Sequence, residues 1–206
     1  MGMVMDDKYL REKTEYTGIH PQKFALWLAM ASMTMFFAAL TSALIVKKGD
    51  FQNWESFRLP RIFGLSTLIV IGISLFLQLA LVHYRKASFA RFRIYLGISV
   101  GCALAFIASQ LLGWQVLTAM GLPLTGNIAG SFIYLITSAH GFHLVVGLAV
   151  LLLFYVQAIR SRKDELFELR NIINPRRQLH LELLVSFWHY IDAVWIYLYL
   201  FFYINY

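Results

Sequence analysis

Cysteine and charge are both scarce in this chain. A single thiol, Cys102, occurs in 206 residues, so neither an internal disulfide nor a Cys-based metal site can be built within it. Lying inside an apolar run, it reads as a small packing residue. A thiolate pair for dinuclear copper, a CxxCH haem attachment, a Gly-rich phosphate loop and a nucleophile elbow are all missing. Charged residues make up only 14% of the chain, and the Lys and Arg behind its formal net charge of +7 sit in clusters between apolar runs. That arrangement points to the lipid headgroup layer as partner and away from nucleic acid. No cleavable signal is evident, because Asp6, Asp7, Glu12 and Glu15 precede an apolar core too long for a signal sequence.

What the chain has instead is apolar length. It is 59% hydrophobic and 16% aromatic, with a mean hydropathy of +0.63, well outside the range of a soluble domain. The expected fold is all-α: a polytopic membrane bundle of five transmembrane helices over about 24–46, 62–82, 94–112, 132–156 and 183–206, after a cytoplasmic leader over 1–23. Phe24 to Val46 alone gives 23 residues without a charge, enough to cross a core of about 30 Å at about 1.5 Å per residue. Gln115 to Gly130, uncharged and punctuated by Gly121, Pro123, Gly126 and Asn127, reads as a turn-rich loop. The leader carries four Lys or Arg, the first two loops four each, the third none and the fourth six. The positive-inside rule then places the N-terminus in the cytoplasm and the C-terminus outside, with Lys47 and Lys48 as a local exception.

Polar groups inside the spans are few and grouped. Phe187-Trp188-His189-Tyr190-Ile191-Asp192-Ala193-Val194-Trp195 places an imidazole and a carboxylate within the last apolar run. Trp188, Asp192 and Trp195 share a helical sector of roughly 60°, with His189 beside it. An Asp near the centre of a membrane helix costs roughly 2.5 to 3.5 kcal/mol on insertion scales, so this face must meet protein. In the fourth span His140, His143 and Gly147 lie together, with Thr137 at the edge. Thr67, Ser74 and Gln78 form a polar stripe on the second span, to be buried against a neighbour. Thr34 and Thr41 on the first are expected to bond back to their own helix. Gly97 and Gly101, extended by Ala105 and Ala108, form a small-residue face suited to a close helix contact inside the bundle.

His140, His143, His189 and Asp192 are also the ingredients of a buried metal or haem site. Depth argues against a haem held between two imidazoles: His140 lies about 5 Å outward of the middle of its span and His189 about 8 Å inward of the middle of the fifth. Asp192 comes closer to the level of His143, so a hydrogen bond between those two across the bundle is the expected pairing. A haem b membrane anchor using His140 or His143 with His189 stays open as an alternative. So does a small transporter or proton channel, although no inverted repeat or broken helix supports it.

These residues carry a family resemblance. Tyr134-x-x-Thr137-Ser138-x-His140-Gly141-x-His143-x-x-x-Gly147 resembles the HGxH helix of subunit III of the haem-copper oxygen reductases, which include cytochrome c and quinol oxidases. The stretch from Phe187 to Trp195 resembles the YWHFVDxxW helix that ends that subunit. Phe106, Gln110 and Trp114 in the third span, and Thr67 with Ser74 in the second, are similar to the same pattern, so the likeness covers 24–206. It implies a non-catalytic subunit of a proton-pumping terminal oxidase in a bacterial inner membrane, with haem and copper on partner subunits and no cofactor or metal of its own. It also implies packing on oxidase subunit I beside other subunits, within what can be a larger respiratory assembly. Bound phospholipid and support of proton uptake and stable turnover belong to the same expectation. By that resemblance His140, His143, His189 and Asp192 form an inter-helix polar network; Trp188, Trp195, Gln110 and Trp114 pack or contact lipid; and Gly97, Gly101 and Gly147 are helix-packing positions. The chain resembles the five-helix form, lacking the first two of seven, so any lipid cleft is walled partly by another chain. One departure stands out: where the family's first span reads ASExxFF, Met33 occupies the glutamate position.

Overall fold

The computed structural model describes residues 20–50, 59–125, 128–161 and 175–206. Five α-helices make up the described fold: α1 (Pro21–Asp50), α2 (Arg61–Arg85), α3 (Phe89–Ala119), α4 (Ile128–Arg160) and α5 (Pro175–Asn205). All five are long and apolar enough to cross a membrane. Each starts earlier or ends later than its apolar run. The run measures only the hydrocarbon thickness, whereas the helix continues until a turn or cap takes over its backbone groups. Much of the expected loop over 115–130 is therefore helical, with α3 continuing to Ala119 and α4 beginning at Ile128. The leader over 1–19 lies outside the described residues, and Pro21 to Lys23 already belong to α1.

Helix α2 ends in a compact reversal. The Ser88 N–H reaches back to the His83 carbonyl at 2.9 Å and the Ala87 N–H to Tyr84 at 3.0 Å, the pattern by which a helix end satisfies its last carbonyls. Ala87 sits at the turning point with φ of 54°, a left-handed conformation that glycine adopts without strain and alanine does not.

Helices α2 and α3 pack as a tight antiparallel hairpin, and α5 lies against α2, α4 and α1. Among the described residues helix α1 touches only α4 and α5 to any extent. The centre is aromatic and aliphatic, with Trp188, Trp195, Phe37, Phe63, Phe106 and Phe202 the largest fully buried side chains. The expected small-residue contact on α3 is only half present. A Cβ on Gly97 would meet the Tyr155 ring of α4 at 3.0 Å, but one on Gly101 would meet nothing within 4 Å, and Ala105 and Ala108 are exposed. A tyrosine ring and not a helix backbone occupies the notch at Gly97. Gly147 does serve close packing, since a Cβ there would lie 2.8 Å from the Phe187 ring of α5.

At one end of the bundle three helices are tied by charge. Glu182 of α5 accepts from Arg85 of α2 at 2.9 Å and lies 3.8 Å from Lys23 of α1, while Gln178 donates to it at 2.9 Å.

Replacing Ala87 by Gly relieves the left-handed strain and should stabilise the chain by about 1 kcal/mol, less the extra freedom of the unfolded glycine. Thermal unfolding in detergent measures it, and a variant less stable than the parent would show the turn to be unstrained.

Candidate functional site

The polar side chains inside the spans are spent mainly on one another. Thr67 of α2 accepts from the Trp195 indole N–H of α5 at 3.2 Å. Ser74 bonds the Nδ1 of His189, and Gln78 Oε1 takes the Nε2 side of the same ring at 3.1 Å. The three-residue stripe of α2 thus serves as one seam to α5. With Gln78 and Ser74 engaging its two ring nitrogens, the imidazole is fixed in orientation between α2 and α5. The hairpin of α2 and α3 carries a matching bond between Ser66 and Ser109 at 2.8 Å.

Helices α3 and α4 are joined by Trp114, whose indole N–H reaches Thr137 at 3.0 Å. Nearby, the Tyr134 hydroxyl meets Thr118 at 2.9 Å. Helix α1 is held by two tyrosines of α5. Tyr190 donates to the Met30 carbonyl at 2.8 Å and pairs with Thr34 at 2.8 Å, and Tyr197 pairs with Thr41 at 2.9 Å. Both threonines also bond back to their own helix, to Met30 and Phe37 respectively. The tyrosines were not singled out from sequence. Their spacing of seven, matching that of Thr34 and Thr41, is the signal that would have found them.

His140 and Asp192 behave differently. The His140 ring is enclosed by aromatics, with ring centres 5.3 Å from Trp195, 6.1 Å from Phe106 and 6.2 Å from Phe37. Both its nitrogens, both Asp192 oxygens, the Trp188 indole nitrogen and the Gln110 amide are buried with no hydrogen-bond partner among the described residues. His143 is half-buried and its Nδ1 bonds the Ala139 carbonyl of its own helix at 2.8 Å. The expected bond between Asp192 and His143 is therefore not formed. Similar depth was insufficient: both Asp192 oxygens lie buried without a partner on the face of α5 shared with Trp188 and Trp195, while His143 stays half-buried with Nδ1 turned to the carbonyl one turn away. Trp188 and Trp195 are both packing residues, buried in the core.

The imidazoles do not converge. His140 faces the Trp195 side of α5, whereas His189 lies about 120° around that helix from Trp195 and is engaged at both nitrogens by α2. No three His, Cys, Asp or Glu side chains come together among the described residues. What this arrangement does chemically is hold helices in register.

Two substitutions separate the satisfied from the unsatisfied groups. Thr67→Val leaves the Trp195 N–H without an acceptor and should cost about 0.5 to 1.5 kcal/mol. Asp192→Leu removes a group that makes no bond and should be neutral or stabilising. Melting curves in detergent report both, and an Asp192→Leu loss as large as that of Thr67→Val would show the carboxyl to be bonded.

Comparison with known proteins agrees with this architecture. The family model described as cytochrome c oxidase subunit III matches residues 21–205. Cytochrome c oxidase subunit 3 of Bacillus subtilis is 24% identical over 184 residues, covering 84% of this chain and 81% of that protein. The corresponding subunit of Bacillus sp. strain PS3 is 25% identical, covering 84% and 80%. Cytochrome bo(3) ubiquinol oxidase subunit 3 of Buchnera aphidicola is 26% identical, covering 88% and 93%. With the match extending across all five helices, the chain belongs to the cytochrome c oxidase subunit III family.

Proposed function

We propose that this chain is the non-catalytic subunit III of a proton-pumping terminal oxidase in a bacterial inner membrane, packed on subunit I and supporting proton uptake and stable turnover. Haem and copper reside on the partner subunits, and the N-terminus faces the cytoplasm in accordance with the distribution of Lys and Arg. The observation that carries the reading is the use of polar groups within the spans: Thr67, Ser74, Gln78, Trp114, Thr34 and Thr41 all bond another helix. Such an interior positions helices and leaves the redox chemistry to other chains. A haem anchor is disfavoured by His189, whose two nitrogens are already engaged, and by its separation from the face that His140 occupies.

Phospholipid is part of the proposal. A groove of about 430 Å³ runs between α1, α4 and α5, lined by Leu26, Val146, Val150, Phe154, Leu184 and Phe187, with His180 at its charged end. Its walls are apolar and His180 lies at its mouth, which suits an acyl chain whose headgroup rests near His180. Met33 is half-buried and packs against the core, so a role that depends on a carboxylate at that position is filled otherwise or absent here.

Affinity purification of the chain from its native membrane should bring down a large haem-bearing subunit. Native mass spectrometry of that assembly should show bound phospholipid, reduced when Val150→Trp fills the groove. The chain emerging alone would overturn the reading. A hydrophobic carbodiimide should leave residues 24–46 unlabelled, since no carboxylate lies there; labelled peptides from that span would contradict it.

A further inference from the structure

A second groove, of about 630 Å³, opens on another flank of α4, where the start of α3 meets the end of α4. Arg93, Ile94, Gly97 and Ile98 of α3 form one wall, and Tyr155 and Ile159 of α4 form the other. Ile94, Ile98 and Ile159 are exposed and give the groove an apolar face toward the lipid chains. Its polar part is the Arg93 guanidinium and the Tyr155 hydroxyl. A Cβ on Gly97 would lie 3.0 Å from that hydroxyl oxygen, so the hydroxyl takes the space of the missing side chain, about 6 Å along the helix axis from Arg93. It makes no hydrogen bond among the described residues. A half-buried phenol on the hydrocarbon side of a charged rim is short of water, and an acceptor brought by a ligand is the partner it lacks.

The surrounding charge selects that acceptor. Arg93 is half-buried and also lines a smaller cavity with Tyr84 and Arg177. Its planar guanidinium carries five N–H donors, enough to keep contacts within the bundle and present a pair to a phosphate. Arg91 and Arg160 stand exposed at the same end. Glu182 is the one carboxylate described there, and Lys23 and Arg85 already hold it. The residues over 162–174 add three acidic and three basic side chains, which leaves the excess positive. A zwitterionic headgroup would bring its ammonium up to this cluster with no carboxylate to receive it, whereas an anionic one brings only acceptors. A soluble anion would satisfy Arg93 and leave the isoleucine walls bare; a lipid fills both parts.

We propose that the α3/α4 groove binds an anionic phospholipid, its phosphate bonded by Arg93 and Tyr155 and one acyl chain lying along Ile94, Ile98 and Ile159. Basic pockets between membrane helices hold acidic headgroups in this way. The inference needs only that the chain crosses a bilayer, and it is independent of the oxidase reading and of the groove beside His180.

The test places the full-length chain in nanodiscs of equal phosphatidylglycerol and phosphatidylethanolamine and reads the lipids it retains by native mass spectrometry. Phosphatidylglycerol should be retained several-fold over phosphatidylethanolamine. Arg93→Gln should lower that preference about fivefold, the scale of one basic side chain at an anionic membrane surface, and Arg93→Lys should keep most of it. Tyr155→Phe, which leaves the ring in place, should lower it about threefold. Ile98→Trp fills the groove without altering its charge and should abolish the preference, which carries the test if Arg93→Gln does not fold. Val150→Trp, which fills the other groove, should leave the preference intact. Equal retention of the two lipids, or a preference that survives both Arg93→Gln and Ile98→Trp, overturns the proposal. A preference lost in Val150→Trp instead overturns it too, by placing the anionic lipid beside His180.

Discussion

Hydrocarbon supplies no hydrogen-bond partner, and most of this bundle can be understood from that one constraint. Each hydroxyl, indole or imidazole placed in a span must find its complement in the chain or in a neighbour. Here most complements lie on α5. Helix α2 meets it through Thr67, Ser74 and Gln78, and helix α1 through Thr34 and Thr41. Packing alone discriminates weakly between helices in lipid, because a neighbouring helix surface and an acyl chain are similarly apolar. Hydrogen bonds at fixed heights give each helix its register and its rotation.

The exceptions sharpen the point. His140, Asp192, Trp188 and Gln110 stay unbonded in the described structure, and His140 is enclosed by large aromatic rings. Such groups do not stabilise the bundle by pairing. What surrounds them is shape: Trp195 and Phe106 stand edge to face at 4.9 Å, and the His140 ring fits against both. At this position the imidazole behaves as one more flat ring in an aromatic stack, and its family likeness concerns packing as much as polarity.

The fold was readable from the sequence wherever one physical scale dominated. Apolar runs of membrane length located all five helices, and the spacing of Thr67, Ser74 and Gln78 pointed to a seam whose partner is α5. The misses came where two scales compete. Helix ends overran the apolar runs because hydrogen bonding, not hydrophobicity, stops a helix. His143 bonded its own Ala139 carbonyl and not Asp192, since a local acceptor is always within reach and a distant one must be brought there. The Gly97 and Gly101 face indicated a permissible contact, but whether a helix uses such a face depends on where its neighbour leans. Tyr190 and Tyr197 escaped notice because an aromatic residue in an apolar run advertises its ring before its hydroxyl.

Among the described residues helix α1 contacts mainly α4 and α5, which has a consequence for biogenesis. A nascent chain leaves the ribosome from its N-terminus, so α1 is released into the bilayer well before the helices that hold it exist. The hairpin of α2 and α3 closes at once, its partners being adjacent in the polypeptide, while α1 waits until the last thirty or so residues have been threaded. Truncation near the C-terminus therefore strands the first helix rather than the last.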